Sequence, residues 1–296
     1  MTLGDLQKKI TEALKLGEIE SADLEARWIL ESVMNIKPSE VITYKNVEIN
    51  ENKVKLIDAV VEDRLKGRPL AYVLQKCEFY GLEFNVREGV LIPRPETEIL
   101  VEWALDKIAE IPTKTRLMKV LDMGAGSGCI GLSIYRKAKS VDVTAVEKSK
   151  QAMKILEENY THHKFGPKVN TNNHFLAKNS SVEEFLSYNK HKYEVILANP
   201  PYIANDDKEV DLHVLKYEPH EALFAGEFGI ELIVSWIQLA ARHLAKSAIM
   251  GFEIGHKQSH FVLDVFKSLD LFDKVYTLND LHGKNRFVCG EKKWMQ

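Results

Sequence analysis

The sequence predicts an α/β protein: a doubly wound, mostly parallel seven-stranded sheet, with a small N-terminal helical bundle joined to it by a β-hairpin. Three observations carry that prediction. From Pro93 onward, amphipathic runs of helix length alternate with short apolar runs, as in a parallel sheet covered on both faces. A glycine-rich turn, Gly124 to Gly128, separates the first of those apolar runs from the helix after it. Ahead of the hairpin, residues 1–75 show helical spacing throughout.

Leu3, Leu6, Ile10, Ala13 and Leu14 share one face of a first helix, and Ser21 is placed to cap a second one carrying Leu24, Trp28, Ile29 and Val33. A third run holds Val54, Ile57, Val60, Val61 and Leu65 on one face and stops at Gly67 and Pro69, residues that end helices. "CEFYGLEFNVREGVLI" alternates around the turn points Gly81 and Gly89, which marks the hairpin. The domains are therefore 1–75, helical; 76–92, hairpin linker; and 93–296, α/β. Within the last, "EILVEWALDKIAE" reads as helix, "MKVLDMG" as strand, "SVDVTAVE" as strand and "SKQAMKILEENY" as helix. "TNNHFLAK" and "YEVILANP" read as strands, "GIELIVSWIQLAARHL" as helix, "SAIMGFEIG" as strand and "KQSHFVLDVFKSL" as helix. Closing strands lie near Lys274 to Leu278 and Arg286 to Cys289. Trp28 and Trp103 fall on expected core faces, and "THHK", residues 161–164, is expected just after a helix end.

Composition bounds the function. A chain of 296 residues suits about two domains, and its net charge of -3, with no basic stripe, argues against stable nucleic-acid binding. Cys77, Cys129 and Cys289 are scattered and odd in number, which fits a reducing compartment; Cys129 reads as a small helix residue rather than a nucleophile. His256 and His260 have the i, i+4 spacing of zinc ligands without a companion cluster, so no metal is expected. No apolar run approaches the roughly 20 residues of a membrane span, and the N-terminus lacks a secretory pattern.

Two motifs carry chemistry. In "VLDMGAGSGCIGLSI", Gly124, Gly126 and Gly128 sit between strand and helix, where absent side chains let backbone N–H groups approach a ligand. The same stretch fits the dinucleotide fingerprint as Gly126-x-Gly128-x-x-Gly131, so by itself it does not separate NAD from another nucleoside cofactor. Asp122 precedes the turn, and Glu147 closes the next strand about 20 residues on, where a carboxylate accepts from ribose hydroxyls. The second motif is "NPPY", Asn199 to Tyr202, at the end of an apolar strand. Two prolines terminate that strand with a stiff backbone. An asparagine oxygen and the Pro200 carbonyl can accept both N–H atoms of a planar amide or ring-conjugated amine, and Tyr202 can stack on its flat face. Glu218 and Glu221 read equally as substrate-loop acids or as solvated loop residues.

These residues resemble a known family. The turn with Asp122 is similar to the first motif of S-adenosylmethionine-dependent methyltransferases of Rossmann-like fold, and "NPPY" to the signature of amino- and amide-methylating enzymes. "GVLIPRPETEILVEWAL" resembles in particular the HemK/PrmC N5-glutamine methyltransferases of peptide-chain release factors. "GRPLAYVLQKCEFYGLEFNV", "YEPHEAL", "FEIGHKQ" and "DLHGKNRFV" extend the resemblance over nearly the whole chain. It implies methyl transfer from S-adenosylmethionine, yielding S-adenosylhomocysteine, to the glutamine side chain of a release factor's Gly-Gly-Gln loop. It further implies that Asp122, Gly124, Ala125, Gly126, Ser127, Gly128 and Glu147 hold the cofactor, with Arg94, Glu96 and Thr97 of the "PRPETE" loop lining its site. Asn199, Pro200, Pro201 and Tyr202 would hold the glutamine amide, Asn199 also flanking the cofactor. Near the adenine the family usually has an acidic residue and often an aromatic; here Asn179 and Ser180 stand in those positions.

The expectation is therefore a protein glutamine methyltransferase, probing its release factor as a monomer through the N-terminal helices. Its compartment would be the bacterial cytoplasm, or the mitochondrial matrix in a eukaryote. A DNA or RNA amino-methyltransferase presents the same conjugated nitrogen to "NPPY" but would favour a basic surface. A non-catalytic scaffold would predict a damaged turn or a missing Asn199, and a hydride-transfer enzyme would need an acid/base that no motif supplies.

Overall fold

The computed structural model describes residues 1–110, 116–164 and 172–292. Packing divides the chain into two units, Met1–Lys76 with Leu212–Tyr217, and Cys77–Asp211 with Glu218–Gln296.

The first unit is helical because its apolar residues recur at helical spacing and its helix starts are capped. Helix α1 (Leu3–Leu16) begins in a capping box: the Asp5 N–H donates to Thr2 Oγ1 at 3.2 Å and the Asp5 carboxylate reaches back to Thr2. Its buried stripe Leu3, Leu6, Ile10 and Leu14 meets Ala26, Ile29 and Leu30 of α2 (Ala22–Met34), and Ile57 and Val61 of α4 (Glu51–Leu65). Two short helices, α3 (Pro38–Thr43) and α5 (Leu70–Leu74), were not expected; they are too short to show a period. Two expectations are corrected. Ser21 does not cap α2, since its hydroxyl donates to Glu25, which is itself buried against Arg64 at 2.7 Å. Trp28 is not a core residue: it is 46% exposed, because the buried stripe of α2 runs along Ala22, Ala26, Ile29 and Leu30 instead. The helix α10 (Leu212–Tyr217), far along the chain, also belongs to this unit. Tyr217 donates to the Lys66 carbonyl at 3.2 Å, and Gly67, at φ +89°, leaves the space that the His213 ring fills.

The second unit opens with the hairpin β1 (Lys76–Phe79) and β2 (Leu82–Asn85), turned by Tyr80 and Gly81, both at positive φ. A single 3₁₀ turn, Pro95–Thr97, leads into α6 (Glu98–Glu110). The sheet follows as β3 (Met118–Met123), β4 (Val141–Glu147), β5 (His174–Asn179), β6 (Tyr193–Ala198), β7 (Leu244–Glu253), β8 (Lys274–Asn279) and β9 (Asn285–Lys292). Its order is β5-β4-β3-β6-β7-β9-β8, parallel except where β9 runs antiparallel to both neighbours. Helices α6, α7 (Cys129–Lys137) and α8 (Lys150–Lys164) cover one face; α9 (Val182–Tyr188), α11 (Glu231–Ala241) and α12 (Ser259–Ser268) cover the other. Strands this apolar need both covers: all six residues of β6 are buried. Trp103 of α6 lies in the core as expected.

Three local differences have physical reasons. Helix α9 is absent from the elements expected from the sequence, although Ser181 caps it by accepting from the Glu184 N–H at 3.1 Å. Helix α8 continues through His162, His163 and Lys164 instead of stopping before them, because the His163 ring packs against Phe84 of the hairpin. The strand read from Thr171 begins at His174; Thr171 itself lies outside the described residues. Among the described residues no helix is long and apolar enough to cross a membrane.

Candidate active site

The chain winds outward from β3 to β4 and β5, then returns to β6 on the other side of β3, so the strand order reverses between β3 and β6. A doubly wound sheet opens a crevice at that reversal, beyond the C-terminal strand ends. The register pairs Met123 with Ala198, which puts Gly124 and Asn199 side by side at its floor.

The glycine turn is shaped by left-handed backbone. Gly124, Gly126 and Gly128 have φ of +69°, +55° and +83°, and a Cβ on Gly124 would come within 2.7 Å of the Trp236 ring. Glu147 ties this turn to the end of β4: one carboxylate oxygen accepts from the Gly126 N–H at 2.8 Å and the other from the Ser149 N–H at 2.7 Å. Each oxygen keeps a further lone pair for a ligand hydroxyl. Burial raises the Glu147 carboxyl above its ordinary range, against the two backbone donors. Asp122 does not face the crevice. Its Oδ2 accepts from the Gly131 N–H at 2.8 Å, capping α7 in place of Gly128, which has no side chain for the task. Burial pushes this carboxyl up to about 7. Asn159 of α8, which no motif marked, is fully buried and joins the Asn85 N–H and C=O to the Ser127 carbonyl, binding hairpin and turn together.

Of the predicted cofactor residues, Arg94, Thr97, Gly124, Ala125, Gly126, Ser127, Glu147 and Asn199 line one cleft. Asp122, Glu96, Gly128, Asn179 and Ser180 do not line it. Asn179 turns away to donate to the Glu147 and Lys148 carbonyls, and the Ser180 hydroxyl bonds Glu184. Ser181, Val182 and Glu183 of the α9 start take that wall instead, with Glu183 accepting from the Trp236 indole at 2.7 Å. Glu218 is buried, not a solvated loop acid: it accepts from the Ile92 N–H at 3.1 Å and from Arg94 at 2.6 Å.

Past β6, Asn199 donates through Nδ2 to Thr97 Oγ1 at 3.2 Å, and Thr97 donates to Glu253 at 2.5 Å. Pro201 reaches the cleft wall; Pro200 and Tyr202 do not. The Tyr202 hydroxyl donates to the other Glu253 oxygen at 3.4 Å, and the Arg286 guanidinium lies 5.9 Å from its ring centre, covering one face. Gln258 donates to the Tyr202 and Gly229 carbonyls, fixing the backbone after the prolines. Burial lifts the Cys129 thiol, keeping it protonated and inert as a nucleophile.

Two family models match the chain, the PrmC N-terminal domain at residues 5–74 and the Methyltransferase small domain at residues 102–262. A release factor glutamine methyltransferase of Coxiella burnetii is 32% identical over 269 residues, covering 91% of each chain. The chain belongs to the release factor glutamine methyltransferase family. A second member, from Streptococcus pneumoniae, is 33% identical with 88% of each chain covered. The fold agrees with a methyltransferase crystal structure from Pyrococcus furiosus, with a TM-score of 0.50 at 14% identity over 73% of this chain and 91% of that one. The protein is thus an S-adenosylmethionine-dependent methyltransferase, and its cleft suits such a cofactor. Gly124 and Gly126 bare the backbone at the β3 end, and the Glu147 carboxylate beside them offers acceptors to a ribose.

Proposed function

We propose that the protein methylates the side-chain amide nitrogen of the glutamine in a release factor's Gly-Gly-Gln loop. The observation that carries this reading is the setting of Asn199. Its Nδ2 is engaged by Thr97, so Oδ1 is the end available to accept from a substrate N–H. A primary amide nitrogen is a poor nucleophile because its lone pair is delocalised into the carbonyl. Accepting both of its hydrogens, at Asn199 Oδ1 and the Pro200 carbonyl, orients that nitrogen and favours the pyramidal geometry of attack. The consecutive prolines keep the carbonyl from turning away. When bound, S-adenosylmethionine supplies an electrophilic methyl on its sulfonium sulfur. Glu147 and the turn from Gly124 to Gly128 would hold it, with Arg94 and Thr97 lining the same cleft. The nitrogen becomes acidic as it gains the methyl, so no strong base is required before attack.

The relatives named for this activity are bacterial, which supports the bacterial cytoplasm as the place of action. The net charge of -3 supports a protein substrate over a nucleic acid, and a monomer engaging one release factor is the simplest assembly. We assign the helical unit 1–75 to gripping that partner away from its reacting loop.

The test is transfer of labelled methyl to a purified release factor, to its Gln→Ala loop variant and to duplex DNA. Label on the intact loop alone is the expected result; label on DNA would replace this reading with amino-methylation of a nucleic acid.

A further inference from the structure

The Asn199 amide is useful to a substrate N–H only if its oxygen, not its nitrogen, faces that substrate. An asparagine side chain is nearly symmetric in shape, so packing alone selects poorly between the two orientations, and its hydrogen-bond partners must do so. The partner here is a hydroxyl with a single hydrogen. Thr97 Oγ1 lies 2.5 Å from Glu253 Oε2, the separation of a hydroxyl donating to a carboxylate, and 3.2 Å from Asn199 Nδ2. With its hydrogen committed to Glu253, Thr97 can only accept. Reversing the Asn199 amide would then set Oδ1 against Thr97 Oγ1, two acceptors with no hydrogen between them.

We propose that Thr97 and Glu253 are positioning residues, a two-step relay by which the ionised Glu253 carboxylate fixes the Asn199 amide with its oxygen toward the substrate. This rests on the glutamine-methylating reading above and extends it to a residue that does not line the cleft. Glu253 ends β7 and is 1% exposed; Thr97 comes from the 3₁₀ turn before α6. Protonation of Glu253 reverses the logic. The acid then donates to Thr97, the Thr97 hydrogen becomes free to bond Asn199 Oδ1, and the amide turns its NH₂ toward the substrate's own NH₂.

The groups facing Glu253 come from several elements. Thr97 and Tyr202 donate to it, Arg286 on β9 favours its charge, and Glu96 in the same 3₁₀ turn opposes it. Cys129, at the start of α7, senses it as a neutral thiol. Burial outweighs Arg286 and lifts this carboxyl to about 7, so the relay changes state within the working range of an enzyme.

The experiment is kcat against pH, with labelled methyl and an intact release factor, for the wild type, Thr97→Val, Thr97→Ser and Glu253→Gln, beside cofactor affinity by calorimetry. Wild-type kcat should fall on the acid side with a midpoint near pH 7. Thr97→Val should lower kcat about tenfold or more while cofactor affinity stays within about threefold, and Thr97→Ser should recover most of the loss. Glu253→Gln, unable to ionise, should be slower and lose the acid limb. A Thr97→Val enzyme with wild-type kcat, or a Glu253→Gln enzyme that keeps the acid limb, overturns the relay. A valine variant that loses cofactor affinity in step with kcat, without rescue by serine, also overturns it and leaves Thr97 a wall residue. Wild-type enzyme that labels no release factor at all overturns the substrate reading and the orientation argument with it.

Discussion

Asn199 and Glu147 lie in one cleft but are proposed to act on different things, and that difference is measurable. Asn199→Ala removes an acceptor from the reacting amide alone, so kcat should fall by roughly two orders of magnitude or more with the cofactor dissociation constant nearly unchanged. Glu147→Ala removes the carboxylate beside the glycine turn, so it should chiefly weaken cofactor binding, by about tenfold or more. Parallel losses in both variants, read by calorimetry and single-turnover transfer, would show that the roles are misassigned. The motif residues were readable because short, local chemistry demands them: glycines where the backbone turns left-handed, prolines where a strand must stop. Glu253 was not readable as part of the site. It sits in an apolar strand, and its partner Thr97 is 156 positions earlier, so only the packing of α6 and its leading turn against β7 brings them together.

At the scale of elements, the strands that flank the crevice were recovered almost to the residue, since buried parallel strands are written as unbroken apolar runs ended by glycine or asparagine. The start of α9 was missed. The resemblance places Asn179 and Ser180 beside the adenine, whereas the spacing of Ser181 and Glu184 marks a helix start there, and Asn179 and Ser180 bond Glu147, Lys148 and Glu184 off the cleft. Trp28 was misplaced for a related reason: on a helix the flanks of an apolar stripe are ambiguous, and the larger side chain was wrongly given the inner side. Elements also meet through single residues with no sequence signature, and Asn159 is the strongest case. It joins α8, the hairpin and the glycine turn through four hydrogen bonds, the one to the Ser127 carbonyl fully buried. Asn159→Ala should destabilise the fold by about 2–4 kcal/mol, as buried backbone groups lose their partner. It should also weaken cofactor binding, because the Ser127 carbonyl loses its anchor. Unfolding in urea and cofactor calorimetry check the two effects separately; a variant as stable as wild type would show that water replaces the amide at no loss.

Across the whole molecule, two buried carboxyls set how stability varies with pH. Asp122 and Glu253 are both raised to about 7, in each case mainly by burial. In the unfolded chain they ionise near pH 4, so between about pH 4 and 7 the folded state holds more protons than the unfolded one. Their stabilising contribution is therefore complete below pH 4 and lost as pH rises through 7. His163 works against this over part of the same range. Burial lowers its pKa to about 4, so the unfolded chain binds the extra proton up to about 6.5 and stability rises with pH there. Comparing variants isolates the carboxyl effect. Asp122→Asn keeps an acceptor for Gly131 and resembles the protonated acid, so below pH 4 its urea midpoint should match wild type. At pH 8 it should be the more stable protein, by on the order of 4 kcal/mol. Glu253→Gln should gain stability in the same direction while losing turnover, because the charge that strains the core is the one that holds Asn199 in its working orientation. An unchanged difference between wild type and both variants from pH 5 to pH 8 would mean that these carboxyls ionise as freely in the fold as outside it.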